Sequence, residues 1–169
     1  GNEGVNSYKA SAIYHLFVDK ALELEPRYIT MVIPSRWMTN TAEGISAEWT
    51  KNFINSGKIK AMFDYEDSKE LFKSVMVRGG INYFLWDRNY NGKCKYEFHS
   101  LSGLTQNEEI YLDTFNLGFV VRDLKAHSVI KKINLKDNNY YKDEIGNFSF
   151  LVGPKHFFDK DGVLATNWR

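Results

Sequence analysis

The segment Tyr28-Ile29-Thr30-Met31-Val32-Ile33 constrains this chain more than any other. It carries no charge and is rich in β-branched residues, which lose freedom in a helix and pack well on a pleated surface. A nearly continuous run of this kind predicts a strand buried on both faces, as in a parallel sheet flanked by helices. Pro34-Ser35 ends it. The flanks read as helices. Tyr8 to Leu24 carries Ile13, Leu16, Phe17, Ala21 and Leu24 at spacings of three and four, and Pro26 stops it. Thr41 to Ser56 carries Ile45, Trp49, Phe53 and Ile54 on one side, with Gly57 as a stop.

Three more strands come next. In Ile59 to Tyr65, Ile59, Ala61 and Phe63 alternate against Lys58, Lys60 and Met62. In Gly79 to Trp86, Ile81, Tyr83 and Leu85 face one way and Asn82, Phe84 and Trp86 the other. Asp87 to Gly92 ends in Asn-Gly, a hairpin signal, which makes Cys94 to His99 the returning strand. This order predicts an α/β fold: the second half of an open sheet ending in an antiparallel β-hairpin. Beyond Leu101 the pattern weakens. Short strands are expected at Phe115–Val121 and Phe148–Val152, a polar turn at Lys136–Tyr141, and a helix from Leu124 to Ile133 capped by Asp123. The chain thus divides into residues 1–100 and a small α+β extension over residues 101–169.

Composition narrows the function classes. Lys and Arg total 22 against 21 Asp and Glu, a formal charge of +1, so any nucleic-acid contact must come from local patches. No window approaches the roughly 18–20 apolar residues of a membrane helix, and the first residues lack the shape of a signal peptide. No membrane contact and a reducing cytoplasm are therefore expected. The single cysteine, Cys94, excludes an internal disulfide and a multi-cysteine zinc site.

Most motifs with chemical meaning are missing. There is no Gly-x-Gly and no Gly-Lys-Ser/Thr, hence no dinucleotide fingerprint and no P-loop. His15, His99, His127 and His156 are scattered singly, and nothing marks a nucleophile elbow. Asp64, Asp67 and Lys69 loosely match a metal-dependent nuclease, a spacing common in polar loops. Asp159-Lys160-Asp161-Gly162 reads as a turn rather than a calcium loop, and Asn147-Phe148-Ser149 as a chance glycosylation match. No metal is expected. Two stretches remain. One is the strand end Ile33-Pro34-Ser35-Arg36-Trp37, at the kind of corner where open α/β sheets bind ligands; its plain alternative is a turn with Trp37 in the core. The other is Leu71-Phe72-Lys73-Ser74-Val75 followed by Arg78-Gly79-Gly80, whose plain alternative is an apolar anchor pinning a loop.

Taken together, Ser11–Ala21, Tyr28–Trp37 and Gly79–Asp87 resemble adenine-specific DNA methyltransferases of type II restriction–modification systems, the TaqI-like enzymes and their relatives that fuse cutting and methylation. The match covers roughly Tyr8 to His99, with weaker likeness at Val121–Ala126 and Leu164–Asn167. The resemblance implies the C-terminal half of a class I, Rossmann-like methyltransferase sheet. It implies methyl transfer from S-adenosylmethionine to adenine N6 of double-stranded DNA, on a base flipped from the duplex. It places Phe72 against one face of that base, in the loop before the late antiparallel strand, with Pro34 and Ser35 beside the same pocket. Arg36, Lys73, Arg78, Arg122 and Lys125 become expected phosphate contacts.

The departures are as informative. Only Pro26, Pro34 and Pro154 are present, so the family's Asn/Asp-Pro-Pro-Tyr/Phe motif is absent, as are its glycine-containing cofactor loop and acidic ribose-binding residue. In the family these precede the segment near Tyr8. The expectation is a C-terminal piece of a longer chain that binds no cofactor and is inactive alone, completed by a cofactor half and a target-recognition region. Two rival readings are a non-catalytic DNA-binding or specificity module on the same fold, and the Asp64–Asp67–Lys69 nuclease.

Overall fold

The structure, a computed structural model, describes residues 11–135. The expectations at residues 8–10, 136–141, 147–152, 156, 159–162 and 164–167 lie outside them. The chain divides into two units, Gly1–Ser128 and Val129–Arg169. The sheet and the first two helices belong to the first unit.

The elements run α1 (Tyr14–Glu23), β1 (Tyr28–Pro34), a 3-10 turn (Ser35–Thr39), α2 (Ala47–Ile54), β2 (Ile59–Tyr65), a short turn (Ser68–Glu70), β3 (Ile81–Asp87), β4 (Cys94–His99) and β5 (Thr105–Ile110). A last helix, α3, spans Leu124–Leu135 and crosses the boundary between the units. The five strands form one mixed sheet in the order β1-β3-β2-β4-β5. β2 and β4 are parallel, and β3 runs antiparallel to both β1 and β2. This is an α/β fold with strands β1, β2 and β4 pointing the same way.

One face of the sheet is the core face. Ile29, Ile33, Phe84, Trp86, Ile59, Met62, Tyr96 and Phe98 are buried there with Trp37, Phe53 and Val18. Trp37, Trp49, Phe53 and Phe84 meet edge-on or stacked, at 5.1–5.6 Å between rings. Trp37 thus belongs to the core. Each such side chain contributes about 1.5–3 kcal/mol by leaving water. Ser46 caps α2, its hydroxyl accepting from the Trp49 amide at 3.1 Å.

The structure corrects several expectations. β1 lies at an edge and is buried on one face only: Tyr28 and Val32 are 58% and 52% exposed. The α1 stripe is displaced. Ile13, Leu16, Phe17 and Leu24 face solvent, whereas Val18 is fully buried, with Tyr14, Ala21 and Leu22 packed beside it. Tyr14, Val18, Ala21 and Leu22 share the face at intervals of four, three and one. In β2 a register shift between Ile59 and Ala61 turns Ile59, Met62 and Asp64 inward and leaves Ala61 and Phe63 on the other face.

β3 and β4 are not a hairpin, because β2 lies between them. Their connection crosses the start of β2 instead, the Asp87 amide bonding the Lys58 carbonyl and the Gly92 amide the Gly57 carbonyl. The terminal hairpin is β4–β5, with His99 opposite Thr105. Phe115–Val121 is not a strand but a series of turns and bends. Asp123 does cap α3, its carboxylate accepting from the Lys125 amide at 2.9 Å.

Candidate functional site

Because β1, β2 and β4 run in one direction, their carboxyl ends share one edge of the sheet with the start of β3. Ser35 follows β1, Asp64 lies near the end of β2, and Asn82 lies opposite Asp64 in register. Tyr96 comes from β4. All four are fully buried. Such polar side chains must be bonded to one another or to a partner. Asp64 accepts from the Ser35 hydroxyl at 2.6 Å, the Tyr96 phenol at 3.0 Å, and both Nε and Nη2 of Arg122 at 2.6 and 2.9 Å. Asn82 Nδ2 donates to Ser35 Oγ at 3.1 Å. Among the described residues Asn82 Oδ1 has no partner.

Arg122 reaches this edge because the chain after β5 folds back along the 3-10 turn. Asp113 closes a tight loop by accepting from the Leu117 and Gly118 amides, and the Val120 amide bonds the Met38 carbonyl at 2.8 Å. The remaining Arg122 nitrogen, Nη1, donates to the Gly79 carbonyl at 2.9 Å. Burial pulls the guanidinium toward neutrality, but the hydrogen bonds and charge of Asp64 outweigh it and hold the group charged. Burial, reinforced by the Asp64 charge, pushes the Tyr96 phenol well above its ordinary value. The cluster therefore joins three strands, the Gly79 turn and the segment leading to α3 through one carboxylate.

Next to it a cleft of about 370 Å³ opens at the end of β1, lined among others by Tyr14, Pro34, Arg36, Met76, Val77 and Arg78. Arg36 donates to the Thr41 carbonyl, and its stem lies under Gly79. Gly79 and Gly80 hold φ of +89° and +85°, and a Cβ on Gly80 would stand 2.1 Å from the Tyr65 carbonyl oxygen. Only glycine fits that corner. The β2–β3 loop, residues 66–80, thus comes back to the sheet beside the cleft. It carries Phe72, 46% exposed, and Lys73, also exposed.

The structure therefore brings Pro34, Arg36 and Arg78 to one cleft and puts Phe72 and Lys73 on the loop that forms part of its wall. Ser35 turns inward to Asp64, and Arg122 spends its donors on Asp64 and Gly79. Lys125 stands apart on the first turn of α3, its amide bonded to Gln106 of β5. The nuclease reading is overturned. Asp64 is buried and saturated by hydroxyl and guanidinium donors, and Asp67 caps the turn after it through the Lys69 amide. No group of three metal-ligating side chains occurs among the described residues. Among the described residues the ends of β1 and β2 carry a 3-10 turn and the hydrogen-bonded polar cluster.

Reasoning from sequence missed Tyr96 and Asn82 as members of the cluster, and Ser68, which is buried within the β2–β3 loop. Asn82 left a signal, since it shares a strand face with Phe84 and Trp86. Tyr96 left none.

Residues 1–72 match the model of a family described as Eco57I restriction-modification methylase. A Mycoplasma pneumoniae protein described as an uncharacterized adenine-specific methylase is 40% identical over 90 residues, covering 53% of this chain and 21% of that protein. The chain thus matches about a fifth of the length of that relative. No solved structure matches it. Over residues 1–72, then, this chain is similar to restriction-modification methylases, and over 90 residues to a protein described as an adenine-specific methylase.

Proposed function

We propose that this chain is part of a site-specific DNA adenine-N6 methyltransferase of a restriction–modification system and forms one wall of the pocket for a flipped adenine. The observation that carries the reading is Phe72, an exposed ring on the loop directly before β3, the strand antiparallel to both its neighbours. The likeness to an adenine-specific methylase supports it. In this reading the sheet is the C-terminal half of a class I methyltransferase sheet. S-adenosylmethionine, which supplies the methyl group, binds a preceding part of the parent chain, and a following part selects the DNA sequence. Phe72 stacks on the extruded base, Pro34 borders the pocket, and Ser35 supports it from beneath through Asp64. Lys73, Arg78 and Arg36 stand at the same edge, and Lys125 near the segment that follows, as contacts for the phosphates of duplex DNA. Arg122 serves them by fixing the Gly79 turn.

Stacking on a flipped base is worth about 1–3 kcal/mol, or roughly 5- to 150-fold. Phe72→Ala in the full-length enzyme is expected to lower methyl transfer within that range without changing the melting temperature. Unchanged turnover would sink the assignment. Duplex affinity is expected to fall steeply with salt, and less steeply in Lys73→Gln and Arg78→Gln variants. Salt-insensitive binding would count against the phosphate contacts.

A further inference from the structure

Leu71, Phe72, Val75 and Met76 are all exposed on the β2–β3 loop, Met76 by 77%. A loop this apolar gains by turning its side chains inward unless its backbone is held. Ser68, only 2% exposed, holds it. Its hydroxyl donates to the Val75 carbonyl at 2.8 Å and accepts from the Val77 amide at 2.8 Å. Its own carbonyl accepts from the Leu71 and Phe72 amides at 3.2 and 2.9 Å. The Val75 amide in turn bonds the Phe72 carbonyl at 3.0 Å. One small side chain therefore ties residues 68–77 into a closed ring. A hydroxyl can donate and accept at once, which alanine cannot. The far end of the loop is fixed separately, the Gly79 carbonyl by Arg122 and the Gly80 carbonyl by the Ser35 amide at 3.0 Å.

We propose that Ser68 is a positioning residue whose hydroxyl closes this ring so that Phe72 is presented outward in its stacking position before any base arrives. The proposal rests on the stacking role of Phe72 in the adenine pocket. An aromatic ring already in place costs less to order on binding, so the hydroxyl acts on the stacked state through the loop without touching the substrate. Four neighbouring features agree with a preformed element: a buried clasp, a ring of hydrogen bonds of 2.8–3.2 Å, a glycine corner that admits no Cβ, and apolar side chains held outward.

The test has two arms. In the 169-residue chain, Ser68→Ala is expected to speed hydrogen exchange at the Val77 and Phe72 amides by roughly tenfold or more, since two hydrogen bonds are lost. Amides of β2 and β3 should stay protected. Ser68→Gly repeats the measurement should alanine disturb the fold, and Ser68→Thr, which keeps the hydroxyl, should restore slow exchange. In the full-length enzyme, 2-aminopurine at the target adenine reports stacking, because its emission is quenched against a ring. Ser68→Ala should raise that emission and lower kcat while KM for DNA stays within about twofold. Unchanged exchange at Val77 overturns the clasp. Faster exchange with unchanged emission and kcat, in an enzyme that Phe72→Ala does impair, overturns the positioning role alone. An enzyme indifferent to Phe72→Ala overturns the stacking role, and with it the purpose of the Ser68 clasp.

Discussion

Replacing Arg122 by methionine would remove three donors from the cluster at once, two to Asp64 and one to the Gly79 carbonyl. Methionine fills similar space and donates nothing. Asp64 would then stand fully buried with only the Ser35 and Tyr96 hydroxyls. Breaking a buried ion pair from one side costs about 3–5 kcal/mol, because the remaining charge has lost its partner. A loss of about 3–5 kcal/mol results, a large share of the roughly 5–15 kcal/mol that holds a domain folded.

Urea unfolding of wild type and Arg122→Met at pH 7, followed by tryptophan fluorescence, measures the loss. Asp64→Asn is a useful companion. It leaves Arg122 15% exposed and able to meet water, and should cost less. A loss below about 1 kcal/mol would refute the reasoning.

Three further outcomes are expected. Burial holds the Tyr96 phenol well above its ordinary value and pushes Tyr14 and Tyr65 up to about 12. Their contribution is complete below the unfolded value near 10 and is lost as pH rises through the folded ones, so tyrosinate absorbance should appear together with loss of circular dichroism. Smooth titration near pH 10 in an intact fold would contradict this. Gly80→Ala should cost about 3 kcal/mol, as it forces a positive φ and sets a Cβ 2.1 Å from the Tyr65 carbonyl; Gly103→Ala, also at positive φ but with nothing within 4 Å, should cost about 1 kcal/mol. Equal urea midpoints for the two would speak against it. Val18→Ala should cost about 2 kcal/mol by thermal melting, while Phe17→Ser stays within about 0.5 kcal/mol.

The helices and the inner strands could be read because each carries its own local signal. Ser46 caps α2 where the apolar side of Trp49, Phe53 and Ile54 begins, and β3 alternates in burial from Asn82 to Trp86. Features that depend on neighbours could not be read. Tyr28 to Ile33 has the composition of a doubly covered strand, but coverage is a property of the sheet, and among the described residues only β3 pairs with it, on one side. The chain after β3 does turn, at Asp87–Tyr90 rather than at Asn91-Gly92, but a turn does not say whether the strands it joins are adjacent. Thr105 to Ile110 is an edge strand of mostly polar residues, bonded on one side, and so shows no apolar period.

The site obeys the same division. Phe72, Lys73 and the glycine pair sit close together in sequence, so their grouping on one loop was legible. The cluster beneath them was not, because the groups that bond Asp64 are 29 to 58 residues away from it. Yet the position of the carboxylate was open to reasoning from pairing alone. Asn82 lies on the face of Phe84 and Trp86, and once β2 pairs antiparallel with β3 in this register, Asp64 lies opposite it on the same face. A carboxylate on a core face demands donors, and the cation must come from elsewhere in the chain. The sequence downstream of β5 offers Arg122 as its first arginine, immediately before the capped helix α3. The demand of a buried carboxylate thus explains why the chain after β5 returns to the sheet edge where β1, β2 and β4 end, and why the Gly79 turn and the start of α3 are anchored to the same side chain.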